Sequence, residues 1–429
     1  MALGGGVFSV QNKKLPGSYI NFVSASHANA GLSDRGIVTM AMALDWGASG
    51  VIKITKEDAI KHLIKVIGYN FADEQAVKIR EIFKNSITLY LYRLNGAGDK
   101  AENTFGTAKY AGTRGNNLMT VITANVDDEN KFDVKTYLGT ALVDTQTVAT
   151  ASELTSNDYV DFKANATLAV TAGTAFTGGT NSTVTAQNHS DYLEAIESYS
   201  FNTIAYDGDD SAIKALYTAF TKRMRDEVGV KFQCVLYNYP TANYEGVISV
   251  ANSSNCVPWV LGAEGGCAVN KSCTNMVYDG EIDFSSTVNK SQTELEGYID
   301  AGQLVFHRVG DDIRLLTDIN TLTTTTDDKN ELFKENQTIR VLDQIGNDIA
   351  TLFNTKYVGS IANNASGRVS LWSDIVKHHK QLETIGAIED FDENSVTIMQ
   401  GDSKRAVVVQ DVVTVVNAME QLYMTVTVQ

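Results

Sequence analysis

The stretch FNTIAYDGDDSAIKALYTAFTKRMRDEVGVKFQCVLYN, residues 201–238, decides the predicted architecture. It opens with a short apolar run that predicts a β-strand, continues with apolar residues at helical spacing, and ends in a second apolar run. Asp210 or Ser211 is placed to cap the helix, because a short polar side chain accepts hydrogen bonds from the free N–H groups of the first turn. Strand, helix and strand in this order predict an α/β unit.

The same alternation continues on both sides of this unit. Upstream, SDYLEAIES (190–198) predicts a helix, and downstream GVISVAN (246–252) predicts another buried strand. Near the start, DRGIVTMAMALDWG (34–47) predicts a strand, and Thr55 caps a helix that extends over 55–68. Helices that alternate with buried strands predict a sheet covered on both faces. We expect a multi-domain protein with α/β and α+β parts.

Residues 96–188 differ in composition from the rest of the chain. They are rich in Thr, Ala, Gly and Asn, and alternating pieces such as LMTVITANV (118–126) predict a small all-β insertion domain, a sandwich or a partly open barrel. The predicted domains are an N-terminal arm (1–25), an α/β segment that packs with the central domain (26–95), the β-rich insertion (96–188), an α/β central domain (189–330), an α+β C-terminal domain (331–420) and a C-terminal strand (421–429).

Both ends of the chain carry strand patterns that have no evident partner. From Gln421 onward, apolar side chains alternate with Tyr423 and two threonines, which is the period of a strand with one buried face. The predicted N-terminal arm holds two shorter extended pieces. A strand can join the sheet edge of another molecule, so we expect these segments to pair between copies. The expected exchange residues are Val7, Phe8, Val10, Tyr19, Ile20, Phe22, Leu422, Tyr423, Met424, Val426 and Val428.

A search of the sequence for catalytic motifs returns none. No GxxxxGK[ST], HExxH or GxSxG pattern occurs. GDSKR (401–405) begins like a serine-nucleophile motif, but it lies between two predicted strands, where a turn fits better. The acidic loop after Asp207 has Thr218 at the twelfth position, where an EF-hand needs glutamate. We therefore expect no enzyme, no metal site and no cofactor.

Charge and composition argue against several further classes of protein. The formal net charge of −16 argues against a nucleic-acid-binding surface, which needs clustered Lys and Arg. No apolar run is long enough to span a membrane, and we see no secretory signal. The four cysteines contain no CxxC pair and are expected to be reduced and mostly buried. KHHK (377–380) is a local basic patch, which is either a solvated helix face or a contact to an acidic partner. Adjacent histidines point about 100° apart on a helix, which disfavours a metal ion shared by His378 and His379.

Three segments resemble a known family. GGGVFSVQNKKLPGSYINF (4–22), DRGIVTMAMALDWG (34–47) and VVTVVNAMEQLYMTVTV (412–428) resemble contractile tail sheath proteins of bacteriophages and R-type bacteriocins, of the type found in Firmicutes. The resemblance extends in domain order along essentially the whole chain. It implies an outward-facing β insertion, a central domain with a subtilisin-like fold that lacks catalytic residues, and a C-terminal domain that faces the tail tube.

The resemblance also implies a mechanism. Subunits stack helically as six-fold rings around a tube and contract by near-rigid-body motion, while the exchanged strands stay paired. The expected hinges are Gly4, Gly5, Gly6, Gly17 and the stretch before Gln421. The expected tube contact is Lys377, His378, His379 and Lys380, with the helix at 331–356 as the alternative.

The implied partners are the tail tube protein, the baseplate proteins and the tail terminator protein, with no nucleic-acid contact and no membrane insertion. The particle is a virion tail or a bacteriocin, assembled in the host cytoplasm. Two other classes stay open. A hydrolase-like enzyme would need convergent polar side chains at the carboxyl ends of the central strands. An adhesin or surface-layer protein is suggested by the Thr-rich insertion, although the expected lack of a secretory signal counts against it.

Overall fold

The structure, a computed structural model, describes residues 31–428. The predicted N-terminal arm (1–25), with its glycine hinges and its exchange residues from Val7 to Phe22, lies outside the described residues. The described chain forms two compact units. The larger unit comprises 33–347, 382–390 and 413–428, and the smaller unit comprises 348–381 and 391–412.

The strands of the described chain are, in order, β1 (Ile37–Met42), β2 (Val51–Thr55), β3 (Thr88–Arg93), β4 (Lys100–Glu102), β5 (Gly106–Ala111), β6 (Leu118–Ala124), β7 (Phe132–Leu138), β8 (Ala141–Val148), β9 (Val160–Phe162), β10 (Thr171–Ala175), β11 (Thr203–Tyr206), β12 (Gln233–Tyr237), β13 (Val247–Val250), β14 (Gln303–Leu304), β15 (Phe306–Val309), β16 (Asp312–Leu315), β17 (Ile388–Glu389), β18 (Thr397–Gln400), β19 (Val407–Gln410) and β20 (Thr414–Val415). The α-helices are α1 (Lys56–Ile67), α2 (Val77–Asn85), α3 (Ala186–Ile196), α4 (Ser211–Lys222), α5 (Val257–Gly266), α6 (Gln292–Asp300), α7 (Asn336–Leu352) and α8 (Ala365–Thr384).

The centre of the larger unit is a seven-stranded sheet in the order β14-β13-β12-β11-β1-β3-β2. Its neighbours are parallel except β2, which runs antiparallel to β3. Alternate strand residues face opposite sides, so Val38 joins the core under α1, α2 and α5, whereas Ile204 joins the core under α3 and α4. The predicted α/β sheet with helices on both faces is confirmed.

Helix α5 packs closely against α2 because it carries glycines. A Cβ atom at Gly262 would lie 2.3 Å from the Ile82 carbonyl oxygen, and one at Gly266 would lie 1.8 Å from that of Asn85. Both distances are shorter than a carbon–oxygen contact allows. The glycine-interrupted sequence of this helix is therefore a packing requirement, and all but its last residue are buried.

The β insertion of the larger unit forms two antiparallel sheets. One has the order β10-β6-β7-β8 and the other β4-β5-β9. The prediction of an all-β insertion is confirmed. Trp46, just after β1, is buried against this insertion, where it contacts Tyr110 and Tyr159.

Local signals placed most elements correctly. Thr55 and Asp58 form the capping box of α1, and Asp210 is the residue that caps α4. GDSKR lies in the turn between β18 and β19, so the turn interpretation holds. Helix α6 was not predicted from the sequence, although Ser291 and Glu294 form a capping box at its start.

The smaller unit has its own apolar core. Side chains from the C-terminal part of α7 and from α8 pack with the β18–β19 hairpin, including Leu352, Leu371, Ile375 and Val396. Residues 331–347 group with the larger unit rather than with this one. The bounds of the six predicted domains remain predictions.

Candidate functional site

The C-terminal segment of the larger unit has no regular secondary structure after β20. From Val416 to Val428 no residue belongs to a helix or strand, and Leu422 and Val428 are 85% and 89% exposed. We call Gln421–Val428 the arm and Thr414–Glu420 the arm root. The hydroxyl of Tyr423 donates to Oε1 of Gln421 at 2.8 Å, a contact inside the arm itself. Among the described residues the strand pattern of the arm has no ladder partner.

The arm root is fixed at its start by strand pairing. In the short antiparallel sheet β17–β20, Ile388 pairs with Val415 and Glu389 with Thr414. The next N–H, of Val416, donates to the carbonyl oxygen of Ala387 at 3.1 Å. The backbone is therefore held in register up to residue 416.

Two side chains in the first turn of α7 form hydrogen bonds with residues 416–418 of the arm root. Nε2 of the buried Gln337 donates to the carbonyl oxygen of Val416 at 3.0 Å, and its Oε1 accepts from the N–H of Ala418 at 2.9 Å. A carboxamide offers a donor and an acceptor together, so one side chain satisfies two backbone groups two residues apart. Oγ1 of Thr338 donates to Oδ1 of Asn417 at 3.1 Å.

Glu420 is the last anchored residue. Its Oε1 accepts from the hydroxyl of Thr274 at 2.6 Å, and its Oε2 accepts from that of Thr317 at 2.9 Å. In the described part of the chain, residues 421–428 make no hydrogen bond to anything outside the arm. The chain thus passes from anchored to free between Glu420 and Gln421.

A second carboxyl group lies near this anchor. Partial burial of Glu335, and then the negative charge of Glu420, raise the pKa of Glu335 to about 7. Burial disfavours the ionised form of a carboxyl, and a neighbouring carboxylate disfavours it further. A carboxyl group beside the arm root therefore changes charge near neutral pH.

The β18–β19 hairpin of the smaller unit presents an open sheet edge. The two strands pair only with each other among the described residues, so each leaves one row of backbone groups unpaired. Met399, Val408 and Val409 on this hairpin are exposed, and Val412 follows at 67% exposure. Beside the hairpin lies a cleft of about 430 Å³ whose lining includes Phe353, Leu371 and Val407. An exposed apolar edge of this kind suits an added strand.

The basic patch predicted at 377–380 requires a correction. His378 and His379 are buried, with their Nδ1 atoms 3.2 Å apart. Nε2 of His378 contacts Asp348 at 3.0 Å, and Nε2 of His379 contacts Asp411 at 2.5 Å. The two carboxylates hold the ring ends, which brings the Nδ1 atoms together although the side chains leave the helix in different directions. Each histidine therefore makes a buried polar contact within the smaller unit. Of the four residues, Lys377 and Lys380 remain at the surface.

The larger unit also contains a crevice at the carboxyl ends of β1 and β11, with a volume of about 550 Å³. Asp207 pairs with Lys78 at 2.5 Å there, and His189 contacts the Tyr217 hydroxyl through Nδ1 at 3.0 Å. Burial lowers the pKa of His189. The residues lining this crevice include no serine, threonine or cysteine.

The alternation of apolar residues predicted the arm, but nothing in the sequence indicated the residues that anchor the arm root. Gln337, Thr338, Thr274 and Thr317 are distant in sequence from the arm root, and none belongs to a motif. Glu420 directly precedes the predicted strand, and no pattern in the sequence singled it out either.

The helices in residues 31–428 include none with the length and hydropathy to cross a membrane.

Four family models match successive parts of the chain. They describe the domain III N-terminal region of tail sheath protein Gp18 (residues 35–94), the phage tail sheath protein beta-sandwich domain (94–181), the phage tail sheath protein central domain (182–321) and the phage tail sheath C-terminal domain (328–429).

Individual proteins match over nearly their full length. The phage-like element PBSX protein XkdK of Bacillus subtilis is 32% identical, with 98% of this chain and 99% of that protein covered. The solved sheath tail protein of Desulfitobacterium hafniense is 38% identical with a TM-score of 0.82, covering 95% of this chain and 99% of that one. A sheath tail protein of Listeria innocua is 32% identical with a TM-score of 0.80, covering 90% and 93%.

Proposed function

The chain belongs to the phage tail sheath family, and from this membership we infer how its copies join into a contractile sheath. It is a structural subunit of a contractile tail, whose copies assemble with one another. We propose that the joint between copies is the arm, which leaves one subunit and completes a sheet in the next.

The observation that carries this proposal is the abrupt change at Glu420. A segment that is merely loose would have no reason to be held by β17, Gln337, Thr274 and Thr317 up to one residue and, within residues 31–428, by no contact outside the arm after it. The anchored root aims the arm, and the free arm spans roughly 25–30 Å when extended. That length is sufficient to cross a boundary between subunits.

Burial of the arm supplies most of the energy. Leu422, Met424 and Val426 are exposed in the subunit, and burying each contributes about 1.5–3 kcal/mol. Each added backbone hydrogen bond contributes only about 1 kcal/mol net. The apolar face of the arm therefore dominates, and the hydrogen bonds fix its register.

We place the acceptor on the β18–β19 hairpin of a neighbouring copy. Its strands offer unpaired backbone groups, and its exposed Met399 and Val408 offer an apolar surface. A contact between an arm on one copy and a hairpin on the next is heterologous, so repetition gives rings or helices. Six-fold rings stacked around a tail tube protein, between a baseplate and a tail terminator protein, are our proposal for the full assembly, formed in the host cytoplasm. The N-terminal arm would add strands to the same joint.

Removal of residues 421–429 tests the arm joint. We expect a folded, monodisperse protein with an unchanged melting temperature that forms no tubes in negative-stain electron micrographs. Met424→Asp should also block assembly, whereas Thr425→Asp on the opposite face adds the same charge and should retain tubes. Tubes of normal length from the truncated chain would refute arm exchange.

Finer features of the family remain proposals for this chain. The parallel strands of the central sheet, with helices on both faces, support a subtilisin-like arrangement. The match to a structural sheath family supports the proposal that the chain is not an enzyme. With His378 and His379 buried, a contact to the tail tube at this position would use Lys377 and Lys380, and the helix at 331–356 remains the alternative.

A further inference from the structure

A small polar cavity lies at the amino ends of β1 and β12, and residues from one face of α7 line it as well. Its volume is about 20 Å³, which is room for about one water-sized particle. Arg35 precedes β1, Lys231 precedes β12, and Arg340 and Asp343 lie about one turn apart on α7. All of them belong to the larger unit. All but Asp343 are cationic, so positive charge dominates the wall of the cavity.

Two of these cations are bonded to backbone groups alone. Arg35 donates through Nε to the carbonyl oxygen of Cys267 at 2.8 Å and through Nη2 to that of Glu264 at 3.0 Å. Nζ of Lys231 donates to the carbonyl oxygen of Arg225. Within residues 31–428, neither Arg35 nor Lys231 has a carboxylate partner. Their charges are therefore not matched by an anionic group of the chain.

The carboxyl groups around the cavity are already engaged. Both oxygens of Asp343 accept from Arg225, at 2.6 and 2.8 Å. Glu264 and Asp318 share Nη2 of Arg340, at 2.6 and 3.2 Å. Burial, and then the negative charge of Asp318, raise the pKa of Glu264, so this carboxyl adds little negative charge. Because buried charge is costly unless it is paired, the excess of positive charge favours an anion in the cavity.

Arg340 supplies a second sign that an occupant belongs here. Its side chain is fully buried, yet its Nε–H has no hydrogen-bond partner in the described part of the chain. A buried donor without an acceptor lowers stability. Burial, and then the like charge of Arg340, lower the pKa of Arg35 to about 10. An anion between the two guanidinium groups would accept from the free donor and offset their repulsion.

Carboxamide side chains hold the walls of the cavity in place. Oδ1 of Asn202 accepts from the N–H groups of Gly36 and Ile37, both at 3.0 Å. Asn347 on α7 holds the backbone of Lys231, because its Oδ1 accepts from the N–H at 2.9 Å and its Nδ2 donates to the carbonyl oxygen at 2.7 Å. The site is therefore formed before anything binds, which reduces the entropy cost of binding.

We propose that this cavity binds one monatomic anion of the size of chloride, held by Arg35, Lys231 and Arg340. Its volume admits such an ion and excludes tetrahedral oxyanions and organic acids. A water molecule would satisfy donors without offsetting charge. The bound ion joins the starts of β1 and β12 to α7, and it stabilises the folded subunit because only the folded chain forms the site. The site is independent of the proposed arm joint.

The line width of the chloride NMR signal tests binding directly on the full chain. The wild-type protein should broaden the signal in proportion to its concentration, and added bromide should reverse the broadening by competing for the site. Lys231→Gln removes one cation from the cavity wall and should reduce the broadening at least several-fold, whereas Lys231→Arg should retain most of it. Broadening that bromide does not reverse, or that is equal for wild type and Lys231→Gln, would overturn the proposal.

Thermal unfolding tests the same site through stability. Replacing sodium gluconate by sodium chloride at constant ionic strength offers an anion that fits the cavity for one that does not. The melting temperature of the wild-type chain should rise by roughly 1–3 °C more than that of Lys231→Gln. Lys78→Gln, at the other end of the same sheet, should respond like wild type. Equal shifts for wild type and Lys231→Gln would mean that the cavity holds no specific anion. Both measurements use the isolated subunit, so their outcome is separate from that of arm exchange.

Discussion

The side chain of Gln337 is the most compact anchor of the arm root. Gln337→Ala removes the partners of the Val416 carbonyl and the Ala418 N–H at once. Two backbone groups lose their hydrogen bonds, which costs about 1–3 kcal/mol locally. We expect faster hydrogen exchange of the Ala418 amide and faster proteolysis at 414–420, with little change in global stability. Gln292→Ala is the control, since the side chain of Gln292 bonds Glu296 on the exposed helix α6, away from the arm root. Unchanged exchange at Ala418 would contradict the clamp.

Glu335 makes the arm root sensitive to pH. Its pKa is about 7 in the fold against 4.5 for an ordinary glutamate, so the folded state binds more protons between these values. The stabilisation is complete below pH 4.5 and is lost as the pH rises through 7. Glu335→Gln should flatten that decline in melting temperature and raise stability at pH 8. The exposed Glu331→Gln is the control. Parallel curves for wild type and Glu335→Gln would refute the assignment.

Single residues also show where sequence reasoning ends. The alternation of Leu422, Met424 and Val426 is local, so it could be read directly. The partners of Glu420 lie more than a hundred residues away, and hydroxyl donors such as Thr274 and Thr317 are common in any chain. The burial of His378 and His379 depended on Asp348 and Asp411, whose approach only the folded chain reveals.

At the scale of elements, α2 can pack closely against α5 because α5 has glycines, which carry no side chain, at the points of contact. Gly262→Ala places a methyl group 2.3 Å from the Ile82 carbonyl oxygen, and such overpacking typically costs 1–3 kcal/mol, about the range we expect. Gly297→Ala in α6 meets no atom within 4 Å and should stabilise by about 0.5–1 kcal/mol, because alanine favours helix. In urea unfolding, the free energy of unfolding should fall for Gly262→Ala and rise for Gly297→Ala. Shifts of the same sign would mean that helix propensity, and not the close approach, governs both positions.

Elements were predictable where the signal was local. The capping boxes, the buried strands and the turn at GDSKR follow from residues a few positions apart. The order of the seven-stranded sheet was not predictable, because it depends on which strands meet after long connections. The arm shows the same division: its strand pattern was readable, but the β17–β20 pairing that anchors it joins segments far apart in sequence.

At the scale of the whole molecule, each subunit combines two compact units with an anchored root and an exposed apolar arm. An exposed apolar strand is a hazard for a protein that works alone. In a sheath the same strand becomes useful, because its anchored root restricts the directions in which it can find a partner. Composition and resemblance predict an order of domains along the chain, whereas the division into the two compact units could not be predicted, since it interleaves distant segments.

Head-to-tail exchange makes a distinctive prediction for mixtures. A copy that lacks residues 421–429 can accept an arm but cannot donate one, so it should cap a growing tube. We expect mean tube length in electron micrographs to fall steeply as truncated copies are added to a constant amount of full-length protein. Truncated copies that also carry Met399→Asp and Val408→Asp lose the acceptor edge as well and should be inert. If both mixtures give the same lengths, the arm and the hairpin are not the two halves of one joint.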